Sequence, residues 1–152
     1  MRRLPSAKSW AISLALTATL ASLAFLLLPG FSDLNQIPSL KQMVKIAAVA
    51  FVFPAFCEEF VFRGLLNRSQ TWRSIVLSTI LFVVWHPVGA YLFIPEALPY
   101  LTNPRFLVFV AAFGLLFCYL RKLSGSIWAP MGCHWLLTIT WKGLGGAQFL
   151  TD

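Results

Sequence analysis

The chain has 152 residues, 59% of them hydrophobic and 11% charged, with a mean hydropathy of +0.77 and a net charge of +7. A soluble domain carries about 25% charged residues, and one this short cannot hide so much apolar surface, so the bilayer must be its solvent. The positive balance does not mark a nucleic-acid groove, because Arg2, Arg3, Lys8, Arg68, Arg73, Arg121 and Lys122 sit beside apolar runs, as cytoplasmic anchors do.

The first apolar run, Trp10 to Leu28, follows a basic start and could read as a secretory leader. Its length is that of a full bilayer crossing, and no Ala-x-Ala site follows it, which predicts a first transmembrane helix. Pro29-Gly30 ends it, and Asp33 to Ser39 reads as a polar loop. The second run, Met43 to Leu66, carries Pro54, which should kink the helix or mark an opening. The third run, Ile75 to Phe93, contains His86-Pro87, and a proline-containing loop with Glu96 follows it. The fourth, Phe106 to Leu120, has no ionisable side chain, and the fifth, Ile127 to Trp141, carries His134. Neither an internal repeat nor a low-complexity linker interrupts the order. The expectation is an all-α membrane protein, a bundle of about five transmembrane helices, with residues 1–40 an N-terminal helix and loop, 41–142 the core and 143–152 a short tail.

Orientation follows from the basic residues, which gather at the N-terminus and in the 67–74 and 121–125 turns, while Asp33, Glu96 and Asp152 fall on the other side. A multi-pass protein with a cytoplasmic N-terminus results, in the plasma (inner) membrane if the source is bacterial. Trp72, Trp128 and Trp141 lie near helix ends, where interfacial anchors belong. Cys57, Cys118 and Cys133 lie inside apolar segments without a CxxC pair and read as small buried hydrophobes. The 14 phenylalanines read as lipid-facing and packing surface.

Glu58, Glu59, Arg63, His86 and His134 all fall inside expected spans. A charge at the bilayer centre costs at least ~2.5–3.5 kcal/mol, so such groups face a bundle interior and usually act there. Glu59 and Arg63 are one turn apart and should pair as a structural unit. Glu58 points about 100° away, with Phe62 rather than a base one turn on, and is left for chemistry. Glu58 and His134 each lie about eight residues from a cytoplasmic helix end, ~12 Å by helical rise, so they can share one level; His86 comes out deeper by the same count. One carboxylate and two imidazoles at one depth could bind and activate a water. The bland alternatives are a histidine that bonds helix to helix and an ion network on the cytoplasmic side.

The run Glu58-Glu59-Phe60-Val61-Phe62-Arg63 resembles the EExxxR motif of the CPBP family, the CAAX proteases and bacteriocin-processing enzymes. Phe82-Val83-Val84-Trp85-His86 is similar to the second motif of that family, FxxxH, and His134-Trp135-Leu136-Leu137-Thr138 to its third, HxxxN or HxxxD. The resemblance covers about residues 45–142 and implies a four-helix catalytic core. It also implies a glutamate-dependent intramembrane endopeptidase, of a kind once classed as metalloprotease. Glu58 and His86 would activate water, His134 and Thr138 would form the oxyanion site, and Glu59 and Arg63 would hold the helix. Thr138 departs from the usual Asn or Asp; its hydroxyl is shorter but can still donate. The implied partners are the lipid bilayer and a lipidated or membrane-anchored protein substrate, with no cofactor. Three alternatives remain at this stage. Two His and one Glu also suit zinc, though without an HExxH pattern. A non-catalytic immunity or scaffold factor could use the same cavity. A small transporter is weakened by the missing inverted repeat.

Overall fold

The computed structural model describes residues 4–28 and 38–143. Most of the expected 33–39 loop lies outside these residues, as does the tail beyond residue 143. Among the described residues the fold is helical throughout, with no strand.

Helix α1 spans Ala7–Leu27 and starts at Ser6, whose hydroxyl accepts from the Ser9 amide and so satisfies an orphan N–H of the first turn. Helix α2 spans Leu40–Ala50 behind a capping box, in which Ser39 and Gln42 bond each other's backbone amides. The second apolar run is not one rod. Phe53 leaves helical geometry (φ −138°, ψ 117°) immediately before Pro54, which lacks the amide a continuing helix needs. The chain then resumes as α3, residues 54–66. Wide π-type turns, Phe51–Phe56 and Phe60–Leu66, flank one α-helical turn, Cys57–Glu59. Turns of this kind cluster at functional sites, and both glutamates lie between them.

Helix α4 spans Trp72–Phe93, capped by Thr71. It is tied to α3 where Ser78 donates to the Phe62 carbonyl (2.7 Å) and Ser74 to the Asn67 side chain (2.8 Å). Pro87 lies inside α4 without ending it. The proline-rich loop folds into a turn, Pro95–Ala97, and a short helix α5, Leu98–Leu101, whose Ala97 and Leu101 side chains are buried. Helix α6, Pro104–Ser124, has Asn103 as cap and Pro104 in its first turn, and it ends at Gly125 in the left-handed region (φ 66°). Helix α7 spans Trp128–Gly143.

Three helices, α1, α4 and α6, are each long and apolar enough to cross a bilayer alone. The other two expected crossings differ. The second is divided at Phe53, and α7, at 16 residues, rises only ~24 Å against a hydrocarbon core of ~30 Å. Large apolar side chains such as Leu26, Val44, Val108 and Leu115 point outward, the surface a bilayer accepts.

Helix α1 belongs to the bundle, packing on α6 and α7. The edge of the Trp10 ring abuts Gly132 of α7: a Cβ built there comes 2.6 Å from Trp10 Cη2 and 2.9 Å from Cζ3. Gly132→Ala is therefore expected to push α1 off α7 and to cost about 1–3 kcal/mol of overpacking. A lower melting temperature in detergent checks this, and a companion Trp10→Ala change in the Gly132→Ala background should restore part of the loss.

Trp72 is exposed at the start of α4, as an anchor should be. Trp141 is partly buried, its ring packing on Tyr100 (5.6 Å between centroids) and Phe106 (5.8 Å) on the wall of a cavity. All three cysteines are free, with Cys118 and Cys133 buried and Cys57 partly so.

Candidate active site

The α-turn between the two π-type turns directs its glutamates to different partners. Glu59 is fully buried, and its Oε1 accepts from Arg63 Nη1 at 3.1 Å and from His134 Nδ1 at 2.9 Å. Arg63, also fully buried, donates from Nη2 to the Gly114 carbonyl of α6 (3.1 Å) and lies over the Phe82 ring of α4 at 4.2 Å. One guanidinium thus links three helices. Gly114 permits this approach: a Cβ there would meet Thr79 at 3.1 Å, Phe82 at 3.3 Å and Arg63 Nη2 at 3.6 Å.

Glu58 turns the other way. Its Oε1 accepts from Trp85 Nε1 at 2.9 Å, and its Oε2 has no hydrogen-bond partner and lies 4.0 Å from His134 Nε2. The two imidazoles are held through their Nδ1 atoms. His86 Nδ1 donates to the Phe82 carbonyl at 2.8 Å, so its Nε2 carries the lone pair. His134 Nδ1 is occupied by Glu59, and the Phe117 ring stacks on the imidazole at 5.2 Å. The Phe82 ring packs against both histidines, 4.8 Å from His86 and 6.0 Å from His134.

Glu58, His86, His134 and Thr138 line one cavity of about 550 Å³. His86, which helical counting places deeper than Glu58, nevertheless lines the same cavity. Thr138 also lies on its wall, but its hydroxyl proton is donated to the His134 carbonyl one turn back (2.9 Å). The zinc alternative needs three converging ligands. Among the described residues no group of three or more His, Cys, Asp or Glu side chains could hold a metal ion.

Three features of this site escaped the reading of the sequence. Trp85 orients Glu58, Phe82 separates the histidines, and Glu59 holds His134 as well as Arg63. Trp85 carried a usable signal: an indole N–H inside an apolar span needs an acceptor, and Glu58 was the unpaired one.

The class is now defined: an all-helical integral membrane protein with a carboxylate–imidazole centre buried in its bundle. Residues 40–140 match the family described as Type II CAAX prenyl endopeptidase Rce1-like. The chain belongs to that family, whose members are membrane-embedded proteases. The matched region contains Glu58, Glu59, Arg63, Trp85, His86, His134 and Thr138, whereas α1 lies outside it. No curated protein and no solved structure matches the chain.

Proposed function

We propose that this protein is a glutamic-type intramembrane endopeptidase that cleaves the C-terminal or membrane-proximal segment of a lipidated or membrane-anchored protein. Glu58 takes a proton from a water held by His86. The hydroxide attacks the scissile carbonyl, His134 stabilises the oxyanion, and Glu58 passes its proton to the leaving amine. One observation carries the reading: Glu58 is oriented by Trp85 with its free oxygen toward His134, on the wall of a cavity that His86 shares.

The tautomers support these roles. His86 presents an acceptor at Nε2, which suits orientation of a water and not donation to an oxyanion. With Nδ1 taken up by Glu59, His134 turns its Nε2 toward Glu58 and the cavity, where the oxyanion would form. Thr138 assists the oxyanion once its hydroxyl rotates off the His134 carbonyl, a turn about one bond. Glu59 and Arg63 hold His134 and the α3 turn in register. The excess of basic side chains at the α1 start and near residues 68 and 121 supports a cytoplasmic N-terminus.

The commitment of the Thr138 hydroxyl to backbone favours a second reading, a non-catalytic factor that binds a peptide in the same cavity. The experiment that separates the two uses purified protein in liposomes with a lipid-anchored peptide. Mass spectrometry should find two fragments whose masses sum to the peptide plus one water. Tight binding of the peptide without fragments would establish the second reading instead.

A further inference from the structure

The Glu58 carboxylate is held at one oxygen only. Among the described residues the bond from Trp85 Nε1 to Oε1, 2.9 Å long, is the hydrogen bond it receives, and Oε2 has none. The last torsion of a glutamate side chain is broad, so that single bond decides where the free oxygen points. The indole is in turn confined by its neighbours. It lies beside Gly89, one turn on along α4, where a built Cβ would sit 3.6 Å from Trp85 Cε2. Phe93 tilts against it at 6.3 Å between centroids. Phe53 meets it edge to face at 6.5 Å, with the ring planes 76° apart. Phe53 is the residue that leaves helical geometry between α2 and α3. On an unbroken helix position 53 would face about 140° away from Glu58. With the extended backbone at Phe53, its ring reaches the tryptophan that Glu58 bonds.

We infer that Phe53 and Trp85 form a positioning relay for the general base: Phe53 braces the indole, and the indole N–H holds one Glu58 oxygen so that the other faces the reacting water. Both act through Glu58. The inference rests on the proposed peptidase reading and adds two positioning residues to it. It also gives the break before Pro54 a use beyond a kink, because the break supplies the aromatic edge that keeps α4 and the catalytic turn of α3 in register.

The test replaces Trp85 in the full-length protein with β-(3-benzothienyl)alanine, which keeps the two-ring shape and puts sulfur in place of the N–H. Cleavage of a lipid-anchored fluorescent peptide is followed in phosphatidylcholine vesicles. A fall in kcat of about tenfold to a hundredfold is expected, with KM unchanged. Phe53→Leu should lower kcat about threefold, again at constant KM. It should cost nothing further once the donor at position 85 is gone, since neighbours acting through one bond are not additive. Wild-type kcat in the sulfur isostere would overturn the proposal. So would a loss confined to KM, which makes the rings substrate contacts, or a Phe53→Leu loss that is the same with and without the donor. A second readout needs no turnover. In detergent-solubilised protein labelled with [15N]indole tryptophan, the Trp85 N–H resonance, assigned through Trp85→Phe, should move in Glu58→Ala and in Phe53→Leu. A resonance that stays in place in either variant counts against the relay. Movement in both, with no cleavage by the wild type, would uphold the relay and refute the peptidase reading.

Discussion

Glu58→Gln is expected to lower kcat for a membrane-tethered peptide by about 10³-fold or more, with the fold intact. The substitution is nearly isosteric, and its amide oxygen can still accept from Trp85 Nε1, so the α3 turn keeps its tie to α4. It cannot take a proton. General base catalysis contributes about 10²–10⁴-fold where the base is well placed, and among the described residues Glu58 is the carboxylate on the cavity wall. Glu59 cannot substitute, because Arg63 and His134 both occupy its Oε1 and it lies behind the cavity surface. Single-turnover cleavage in liposomes measures the effect, and an unchanged melting temperature in detergent certifies the fold. A variant that cleaves as fast as the wild type removes Glu58 from the mechanism.

The second large effect concerns stability. Arg63→Met should destabilise the protein by about 3–5 kcal/mol, the usual cost of removing one partner from a buried ion pair. Methionine retains much of the stem volume but returns none of the polar contacts. The Gly114 carbonyl loses the donor from Arg63, Glu59 is left with His134 alone, and the face of Phe82 loses its cation. Both residues of the pair are fully buried, so water cannot replace the missing partner without opening the helix contacts. The measurement is thermal unfolding in detergent together with the yield of folded protein. A Glu59→Gln, Arg63→Met double change should recover part of the loss, since it removes the stranded charge. An unaltered melting temperature in the single variant would contradict the structural role.

Much of this site was legible because spacing and dielectric act locally. Glu59 and Arg63 had to meet, being one turn apart in a medium that punishes unpaired charge, and Glu58 had to be left over. The break beside Pro54 followed from a missing amide, although the residue that leaves helical geometry is Phe53. What depended on neighbours brought in by the fold was hidden. Helical counting assumes uniform turns, and α3 is built partly of π-type turns that shift the facing of every residue after them. A tryptophan near a helix end reads the same whether it faces lipid or, like Trp141, stacks on Tyr100. A lysine at the end of an apolar run reads as an anchor, and only the fold shows that Lys142 lines the cavity with Glu58. Thr138 was read as a donor to the cavity, and no sequence pattern says whether a threonine hydroxyl points outward or back to its own helix.

The account's central claim is that Glu58 and His134 act together on one reacting centre. A double-mutant cycle on peptide cleavage tests it most directly, using Glu58→Gln, His134→Gln and the pair, each in liposomes and each checked for folding. Residues that work as a unit lose no more together than apart, so the double variant should be about as slow as either single one. Losses that multiply, with each single variant retaining much of its activity, would mean that the two groups act independently, and the shared centre would have to be abandoned.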